Sequence, residues 1–283
     1  MKNNFNIAIT GSNGYVARHL RKFFSSKKIA VLAISRTNFQ KYKLEKKVIT
    51  PKFSKLDILP ELKKCNILIH LISTTTQTVN KNHFDSTVES TKKIIELCKI
   101  CNIKKIIYIS GLGASKNTTS GYFISKYLAE QEIIHSGICY TIFRPSDILG
   151  YDDYLSKNLK KQIKSDKIII PGSGKYVFQP IFVDDVSKII FDALSKKKYN
   201  NKIISLVGPE TITFEKYVTL FLKNSKIKIH KIDLEKAYYD ALHNDNVLYG
   251  VDDLNMMISS FQADFENLQK FSKLKFTALK DFL

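Results

Sequence analysis

The sequence has few cysteines and no long hydrophobic run, and these two absences exclude several classes of protein. The 283 residues include four cysteines, which form no disulfide framework and therefore indicate a reducing cytosol. No apolar run approaches the ~18–20 residues that a membrane-spanning helix needs. A predicted strand begins almost at the N-terminus, so we expect no signal peptide. The composition thus favours a cytoplasmic protein without a transmembrane segment.

Arginine is also scarce, although the chain is strongly basic. Four of the 45 basic residues are arginines, and the formal net charge is +19. The lysines are scattered, and no arginine–aromatic interleaving or nucleic-acid-binding motif accompanies them. Because lysine, asparagine and isoleucine are all abundant, the charge favours a solvated surface of biased composition. Attraction to an anionic membrane or an acidic partner is the next interpretation, and nucleic-acid binding is the least supported.

Strand and helix signals alternate along the first half of the chain. Two predicted strands, residues 66–72 and 105–110, consist mostly of apolar residues, which is typical of strands covered on both faces. The predicted strands are separated by helical segments, and this alternation predicts right-handed βαβ units and a parallel, doubly wound sheet. The other predicted strands in this half cover residues 5–10, 29–35, 48–51 and 140–143, and a further strand at 203–207 follows in the second half. The predicted helices here cover residues 15–25, 58–64, 84–101 and 122–136.

The pattern loosens after Pro145 and becomes mostly helical. The predicted helices cover residues 155–164, 186–194, 213–222, 234–242, 252–257 and 264–271. Asp184 or Asp185 is expected to cap the helix at 186–194. The length suits one large α/β domain with an attached lobe. We predict a dinucleotide-binding domain at residues 1–150, to which residues 176–207 return, and a smaller substrate-side lobe of residues 151–175 and 208–283.

The segment between the first strand and the first helix is the most informative. It reads Thr10-Gly11-Ser12-Asn13-Gly14-Tyr15-Val16-Ala17, a G-x-x-G-x-x-A spacing. Gly11 lets the chain leave the strand in a conformation that a Cβ would obstruct, and Gly14 lets backbone N–H groups approach a pyrophosphate. The small Ala17 permits close packing, and the helix N-terminus supplies partial positive charge. The segment predicts a dinucleotide-binding, Rossmann-like fold, with a ligand-free tight turn as the alternative.

Arg36 and Asp57 follow the next two predicted strands, where such a fold contacts adenosine. Arg36 can pair with the 2′-phosphate of NADP, whereas an acidic residue there would bind the ribose hydroxyl of NAD. NADP(H) is therefore favoured over NAD(H), and an ordinary surface arginine is the alternative. Asp57 can accept a hydrogen bond from the adenine amine, or it can cap a helix that begins at Leu59.

A second chemical signal is Tyr122-Phe123-Ile124-Ser125-Lys126. Tyr122 and Lys126 are four residues apart and share one helix face. A nearby ammonium favours the phenolate, so the pair can exchange a proton with a carbonyl oxygen while nicotinamide exchanges hydride with the carbon. Because the pair follows a glycine turn, two buried strands and Ser110, it predicts an acid/base site.

Taken in order, these motifs resemble the extended and atypical short-chain dehydrogenase/reductases, the NAD-dependent epimerase/dehydratase family. The resemblance covers residues 5–207. It rests on the glycine turn, Leu56-Asp57, Ile69-His70-Leu71, Tyr108-Ile109-Ser110, Tyr122-x-x-x-Lys126, Arg144-Pro145 and Val183-Asp184-Asp185-Val186. Within the family, residues 109–115, 121–130 and 274–283 resemble the branch that contains the nucleotide-binding accessory subunit of respiratory complex I.

The resemblance implies a role for most of these positions. The residues implied at the pyrophosphate are Gly11, Ser12, Asn13, Gly14, Tyr15 and Val16. Those implied at the adenosine end are Arg36 on the 2′-phosphate and Asp57 and Ile58 at adenine. Those implied at the nicotinamide end are Leu71, Ile72 and Ser73 beside the ribose, Lys126 on the ribose, Tyr122 as the acid/base and Pro145 near the ring.

Two positions depart from the family pattern. Sugar-modifying members carry a serine or threonine two residues beyond Ser110 to polarise the substrate carbonyl, and this chain has Leu112. Ser110 is therefore a third catalytic candidate, with a strand-end serine of no chemical role as the alternative. Thr87 stands where family members often present an asparagine.

The sequence supports two functions. The first is an oxidoreductase or epimerase-type enzyme acting on a small-molecule substrate, either a nucleotide sugar or another carbonyl or alcohol compound. Its pocket is expected outside the carboxyl ends of the strands, between residues 112–121 and lobe segments 150–154 and 171–179. The second is an NADPH-binding accessory protein that docks to a membrane respiratory complex, peripheral to the membrane. The family resemblance also implies a homodimer.

Three further signals are interpreted as structural. Cys98 and Cys101 have the C-x-x-C spacing but no second cysteine or histidine pair nearby, so we predict two buried helix residues and no metal site. His70 lies inside an apolar strand and is interpreted as a core histidine. Residues 171–175 lack a full phosphate-loop pattern and are expected to form a turn bordering the substrate cleft.

Overall fold

The apolar segments of the chain build a parallel seven-stranded sheet, as predicted. The computed structural model describes residues 6–73, 82–223, 227–244 and 247–283. In chain order its strands are β1 (Ile7–Thr10), β2 (Val31–Ser35), β3 (Glu45–Ile49), β4 (Ile67–His70), β5 (Lys105–Ile109), β6 (Cys139–Pro145), β7 (Ile148–Leu149), β8 (Lys167–Pro171), β9 (Val177–Phe178), β10 (Ile181–Phe182), β11 (Lys202–Leu206), β12 (Ile212–Thr213) and β13 (Lys228–Ile232). The sheet has the order β11-β6-β5-β4-β1-β2-β3, with parallel pairing from β6 through β3. The strand order reverses beside β1, which defines a doubly wound sheet.

Helices connect these strands. They are α1 (Tyr15–Ser26), α2 (Lys55–Leu62), α3 (Ser90–Ile100), α4 (Gly121–His135), α5 (Tyr154–Ile163), α6 (Val183–Ser195), α7 (Phe214–Leu222), α8 (Leu234–His243), α9 (Val251–Ile258) and α10 (Phe265–Ser272). Short 3₁₀ turns cover Lys197–Tyr199 and Leu279–Asp281, and a π-helical segment, Phe84–Glu89, precedes α3. In α1, Ala17, Leu20 and Phe24 are buried at spacings of three and four, which gives the helix one apolar face.

The chain divides into two compact units. The first contains Met1–Arg144 and Val183–Ile204, and the second contains Pro145–Phe182 and Ser205–Leu283. Residues 145–150, 176–182 and 205–207 thus belong to the second unit, whereas the sequence pattern predicts them in the dinucleotide-binding domain.

The core of the first unit lies where neighbouring strands present apolar side chains in register. Ala8 is paired with Leu32 and with Leu68, and Leu68 is paired with Ile106. All four are fully buried in one cluster that also contains Cys98 of α3. Burial of each large aliphatic side chain contributes roughly 1.5–3 kcal/mol. The prediction of strands covered on both faces is confirmed most clearly at β5, where every residue is buried.

Several predicted boundaries are wrong. β3 begins at Glu45 rather than at residue 48, because a tertiary ion pair buries this carboxylate and the local pattern contains no sign of it. α2 begins at Lys55 rather than at residue 58. α6 begins at Val183, so Asp184 and Asp185 lie inside its first turn and do not cap it.

The described part of the second unit is mostly helical but also contains three two-stranded sheets. β8 pairs with β13 in parallel, β9 pairs with β12 antiparallel, and β7 pairs with β10 in parallel. Sequence periodicity does not reveal them, because most of these strands are two residues long. The core here includes Leu159, Ile168, Phe214 and Tyr217. Within the described ranges of the chain, no helix is both long enough and apolar enough to cross a bilayer.

Candidate functional site

The turn after β1 has the geometry that its glycine spacing predicts. Gly11 has a φ of +71°, and a Cβ there would lie 2.8 Å from the Leu71 carbonyl oxygen and 3.0 Å from the Ile72 nitrogen. The backbone conformation and the close approach both require glycine. The peptide after β4 therefore packs directly on the turn, which places Leu71 and Ile72 beside it.

Hydrogen bonds fix the turn and leave the start of α1 uncapped. The Ser12 N–H donates to the Ile34 carbonyl at 3.0 Å, and the Gly14 N–H donates to the Gly11 carbonyl at 2.9 Å. The buried Ser12 hydroxyl donates to the Ile9 carbonyl at 2.8 Å, so this side chain stabilises the turn from within. Gly14, the N-cap, has no side chain to cap the helix, and the first turn contains no acidic residue. A pyrophosphate fits such a terminus, because the opening N–H groups have no acceptor inside the helix.

A buried arginine that the sequence motifs do not single out supports the turn. Arg21 pairs with Glu45 through Nε–Oε1 and Nη2–Oε2 distances of 2.9 and 2.7 Å. It also donates to the carbonyls of Ser12 at 2.8 Å and Gln40 at 2.6 Å. Arg21 thus ties the glycine turn to the loop that follows β2. The available signal in the sequence is its position four residues after Ala17, on the apolar face of α1.

The three residues predicted to contact adenosine, Arg36, Asp57 and Ile58, differ from one another in exposure. Arg36 directly follows β2, is exposed, and makes no hydrogen bond or ion pair with other described residues. Asp57 is exposed in the first turn of α2, whose N-cap is Ser54. The alternative that Asp57 caps a helix beginning at Leu59 is therefore wrong. The Ile58 side chain is fully buried in the core, so only the backbone of this residue could contact a ligand.

His70 is a core histidine, as interpreted from the sequence. Its Nδ1 lies 2.8 Å from the Thr10 hydroxyl, and its Nε2 lies 3.1 Å from the Thr91 hydroxyl. Thr91 donates its own proton to the Thr87 carbonyl, so Nε2–H of His70 is the donor and Nδ1 accepts from Thr10. Burial, reinforced by the charge of Lys126, lowers the pKa of His70 to about 3. The neutral ring connects β1, β4 and α3.

The helix α4 brings Tyr122 and Lys126 together. The Lys126 Nζ lies 5.6 Å from the centre of the Tyr122 ring and 5.2 Å from that of Tyr108. It donates to the Ile109 carbonyl at 2.9 Å. Lys126 is 3% exposed, and burial lowers its pKa to about 7, although Glu130 acts in the opposite direction. Near neutral pH this side chain is therefore divided between ammonium and amine.

The glycine turn and the Tyr122–Lys126 pair meet at one edge of the sheet. Gly11 follows β1, Leu71 follows β4 and Ser110 follows β5, and these three strands are adjacent and parallel. Lys126 reaches the carbonyl of the last residue of β5. The carboxyl ends of parallel strands are where open α/β sheets bind ligands.

Two buried hydroxyl groups near this edge are unsatisfied. The Ser110 N–H donates to the Phe143 carbonyl at 2.7 Å, but its hydroxyl has no hydrogen-bond partner in the described part of the chain. The Thr87 hydroxyl is likewise buried without a partner among those residues. Such groups are rare in folded proteins unless water or a ligand satisfies them. Leu112 is half-buried and offers no polar atom.

His83 is a further residue at this site that the sequence motifs do not identify. It is buried, and its ring meets Tyr122 edge-on with centroids 5.5 Å apart. Phe123 also contacts the Tyr122 ring, at 5.1 Å. His83 lies one residue before the segment with helical periodicity, so no spacing rule places it beside Tyr122.

No described contact joins the remaining predicted residues, Ser73 and Pro145, to the glycine turn or to the Tyr122–Lys126 pair. Ser73 is exposed after β4, and Pro145 ends β6 as the first residue of the second unit. Cys98 and Cys101 are both buried, as predicted, and burial raises the pKa of each thiol. Among the residues that the structure describes, no group of His, Cys, Asp or Glu side chains could hold a metal ion.

The strand order and the glycine turn define a Rossmann-like α/β protein. Residues 7–206 match the NAD dependent epimerase/dehydratase family. The chain belongs to this family, as its motifs predict.

Relatives and solved structures refine this placement. The mitochondrial NADH dehydrogenase [ubiquinone] 1 alpha subcomplex subunit 9 of Mus musculus is 30% identical over 145 residues, which are 51% of this chain and 38% of that protein. The Dictyostelium discoideum subunit of the same name is 24% identical over 226 residues, 76% of this chain and 62% of that protein. The match thus spans less than two thirds of these relatives. The structure of MoeE5 in complex with UDP-glucuronic acid and NAD aligns over 98% of this chain and 96% of that chain, with a TM-score of 0.79 and 14% identity, which shows the shared fold.

Proposed function

We propose that the protein is an NADP(H)-dependent dehydrogenase/reductase or epimerase-type enzyme in which Tyr122 and Lys126 move the proton. The observation that carries this proposal is that the uncapped helix N-terminus after Gly14 lies at the same carboxyl ends of the strands as Tyr122 and the buried Lys126. A nucleotide held for a structural purpose would not require a phenol and a buried amine beside it.

The cofactor would be held mainly by backbone groups. Residues Gly11 to Val16 would surround the pyrophosphate, and the unpaired guanidinium of Arg36 would bind a 2′-phosphate. Asp57 would contact adenine, and residues 71–73 would lie beside the nicotinamide ribose. The NAD in the MoeE5 complex supports a nicotinamide dinucleotide, and the choice of NADP depends on Arg36.

The chain's own residues would then handle the proton. When bound, nicotinamide supplies or accepts the hydride at the substrate carbon. Tyr122 would donate its phenolic proton to the carbonyl oxygen during reduction and recover it during oxidation. Lys126, held by the Ile109 carbonyl and with a pKa of about 7, can replenish that proton near neutral pH. The unsatisfied Ser110 hydroxyl would donate a hydrogen bond to the substrate oxygen, a role that Leu112 cannot fill.

Cofactor titration followed by turnover with carbonyl and nucleotide-sugar substrates tests the proposal. We expect Tyr122→Phe to keep NADPH affinity within about twofold and to lower kcat by about 100-fold or more, because general acid catalysis is removed. Tyr127→Phe, which removes another phenol from α4, is the matched control and should remain active. A fully active Tyr122→Phe enzyme would end the proposed mechanism.

A non-catalytic NADPH-binding accessory protein is the second candidate. It is favoured by Leu112, by the net charge of +19 and by the similarity to subunits of a mitochondrial NADH dehydrogenase. Such a protein would dock to a membrane complex and remain peripheral to the membrane. Bound nucleotide that does not exchange, together with copurification of membrane subunits, would favour this candidate. Exchange with substrate-dependent turnover would favour the enzyme.

The substrate class and assembly of the enzyme are also proposals. The UDP-glucuronic acid in the MoeE5 complex supports a nucleotide sugar as one class, beside other carbonyl or alcohol compounds. The homodimer implied by the family would be detected by sedimentation velocity of the full chain.

A further inference from the structure

A cavity inside the second unit differs in chemistry from the rest of this basic protein. Its volume is about 100 Å³, and no residue of its lining is basic. Its aromatic wall is formed by Tyr154, Phe178, Phe214 and Tyr249. The lining also contains two methionines, Met256 and Met257, and two carboxylates, Asp147 and Asp253.

Neither carboxylate has a cationic partner in the described part of the chain. The Asp147 side chain is solvent-accessible and makes no hydrogen bond with the side chain or backbone of another described residue. The surrounding protein atoms nevertheless remove part of its solvation and raise its pKa to about 6. Asp253 accepts hydrogen bonds from the Tyr154 hydroxyl at 3.2 Å and the Gly250 N–H at 3.0 Å, and burial raises its pKa as well. The cavity therefore presents two carboxylates that no basic group neutralises, beside aromatic and methionine side chains.

We propose that this cavity binds a small organic ammonium ion and rejects nucleoside diphosphates. An ammonium would form charge-assisted hydrogen bonds with Asp147, and aromatic faces attract cations that have left water. Methionine and aromatic side chains would cover the hydrocarbon part of the ligand. A diphosphate would bring further negative charge to two carboxylates that no basic group neutralises. A volume of about 100 Å³ suits a small ligand or head group.

This inference goes beyond the proposed function and does not rest on it, because the cavity lies wholly in the second unit. If the protein is an enzyme, however, the cavity favours carbonyl or alcohol compounds with an amino group over nucleotide sugars.

The methionines provide a direct test. The chain has three, and two of them line the cavity, so methyl-labelled methionine reports on its occupancy by NMR. The full chain is titrated near neutral pH with butylamine, butanol and butyrate, which have similar size and differ in charge, and separately with UDP. We expect butylammonium to shift the Met256 and Met257 methyl signals saturably and at the lowest concentration. Butanol should bind more weakly, and butyrate and UDP should leave both signals unchanged.

Two variants show whether Asp147 is responsible. Asp147→Asn keeps the shape of the side chain and should weaken butylammonium binding about tenfold without changing butanol binding. The control is Asp152→Asn, an exposed position outside the cavity whose φ of +63° asparagine tolerates, and it should behave like the wild type. Equal affinities for butylammonium and butanol, an unaffected Asp147→Asn variant, or stronger shifts with UDP would each overturn the inference. NADPH titration of the same sample tests the proposed function separately. A failure of ammonium binding can therefore be distinguished from a failure of cofactor binding.

Discussion

Arg36 and Lys126 are both basic, yet the structure gives them opposite surroundings. Arg36 is exposed after β2, and no described residue pairs with its guanidinium. Lys126 is buried against the Tyr108 and Tyr122 rings, and desolvation disfavours its ammonium form. The first suits the recognition of an anionic group, and the second suits proton exchange near neutral pH.

Arg36 should decide the preference between the two nicotinamide cofactors. We expect Arg36→Ala to weaken NADPH binding about tenfold or more, because a charge-assisted contact is worth roughly 1.5–3 kcal/mol, and to leave NADH binding nearly unchanged. Isothermal titration with both cofactors measures this difference. Lys41→Ala removes one exposed positive charge from the same loop and should change both affinities little. An unchanged preference in Arg36→Ala would refute the assignment of NADP.

Lys126 should make the stability of the protein depend on pH in one direction. Its pKa is about 7 in the folded protein against 10.5 for an ordinary lysine, so between these values the unfolded chain binds more protons. The free energy of unfolding contributed by this group therefore rises with pH from about 7 to 10, by at most about 1.4 kcal/mol per pH unit. Urea unfolding of wild type and Lys126→Met at pH 7 and 9 measures it. The free energy of unfolding of the wild type should rise relative to that of the variant between pH 7 and 9. An equal change with pH in both proteins would show that Lys126 keeps its ordinary pKa.

At the scale of elements, the glycine turn is held by three strands and a helix rather than by its own sequence. Ser12 is bonded to β2, Gly11 packs on the peptide after β4, and Arg21 of α1 connects the Ser12 carbonyl to Glu45 of β3. Separating Arg21 from Glu45 would leave a buried charge unpaired, which is strongly destabilising. The ion pair therefore holds Arg21 in place, and Arg21 in turn holds the Ser12 carbonyl of the turn before any ligand binds.

Gly11 should be less replaceable than another glycine with a similar backbone. Gly137, after α4, has a φ of +77°, but no atom lies within 4 Å of the point that a Cβ would occupy, whereas a Cβ on Gly11 meets the Leu71 carbonyl. We expect Gly137→Ala to cost about 1 kcal/mol of unfolding free energy through backbone strain. Gly11→Ala should cost about 1–3 kcal/mol more and weaken NADPH binding. Urea unfolding compares the two, and equal costs would show that the contact with Leu71 relaxes freely.

The elements differ in how far the sequence predicts them. β5 and α4 are predicted to within one residue, and for β5 the reason is that its apolar run is a local signal. β3 is displaced in the prediction because Glu45 is buried by Arg21, a residue 24 positions earlier. β8 and β13 pair with each other across some 60 residues, and such pairing leaves no trace in either segment alone.

At the scale of the whole molecule, one glycine turn and one parallel sheet in the first unit predict a single bound nucleotide. The second unit contributes a separate acidic, aromatic cavity. The net charge of +19 is spread over lysines, and the structure groups carboxylates at that cavity without basic partners in the described chain. Average composition is therefore a poor guide to the chemistry of this site.

Native mass spectrometry of the freshly purified full chain tests the claim that both proposed functions share. We expect a species with one NADP(H) per chain, because the chain has one glycine turn of the dinucleotide-binding type. The same spectrum gives the number of chains in the assembly. A nucleotide-free protein that does not take up added NADPH would contradict the proposed site.

The order of residues is enough to specify the alternation of strands and helices, the glycine turn and the pairing of Tyr122 with Lys126, because each depends on neighbours within a few positions along the chain. The same local motifs identify the family. Folding in three dimensions is what places His83 against Tyr122, sets Arg21 beneath the turn, and lowers the pKa of Lys126 to about 7. It likewise gathers Asp147 and Asp253 around one cavity. Desolvation and contacts between distant segments exist only after the chain has folded, and residue spacing does not encode them.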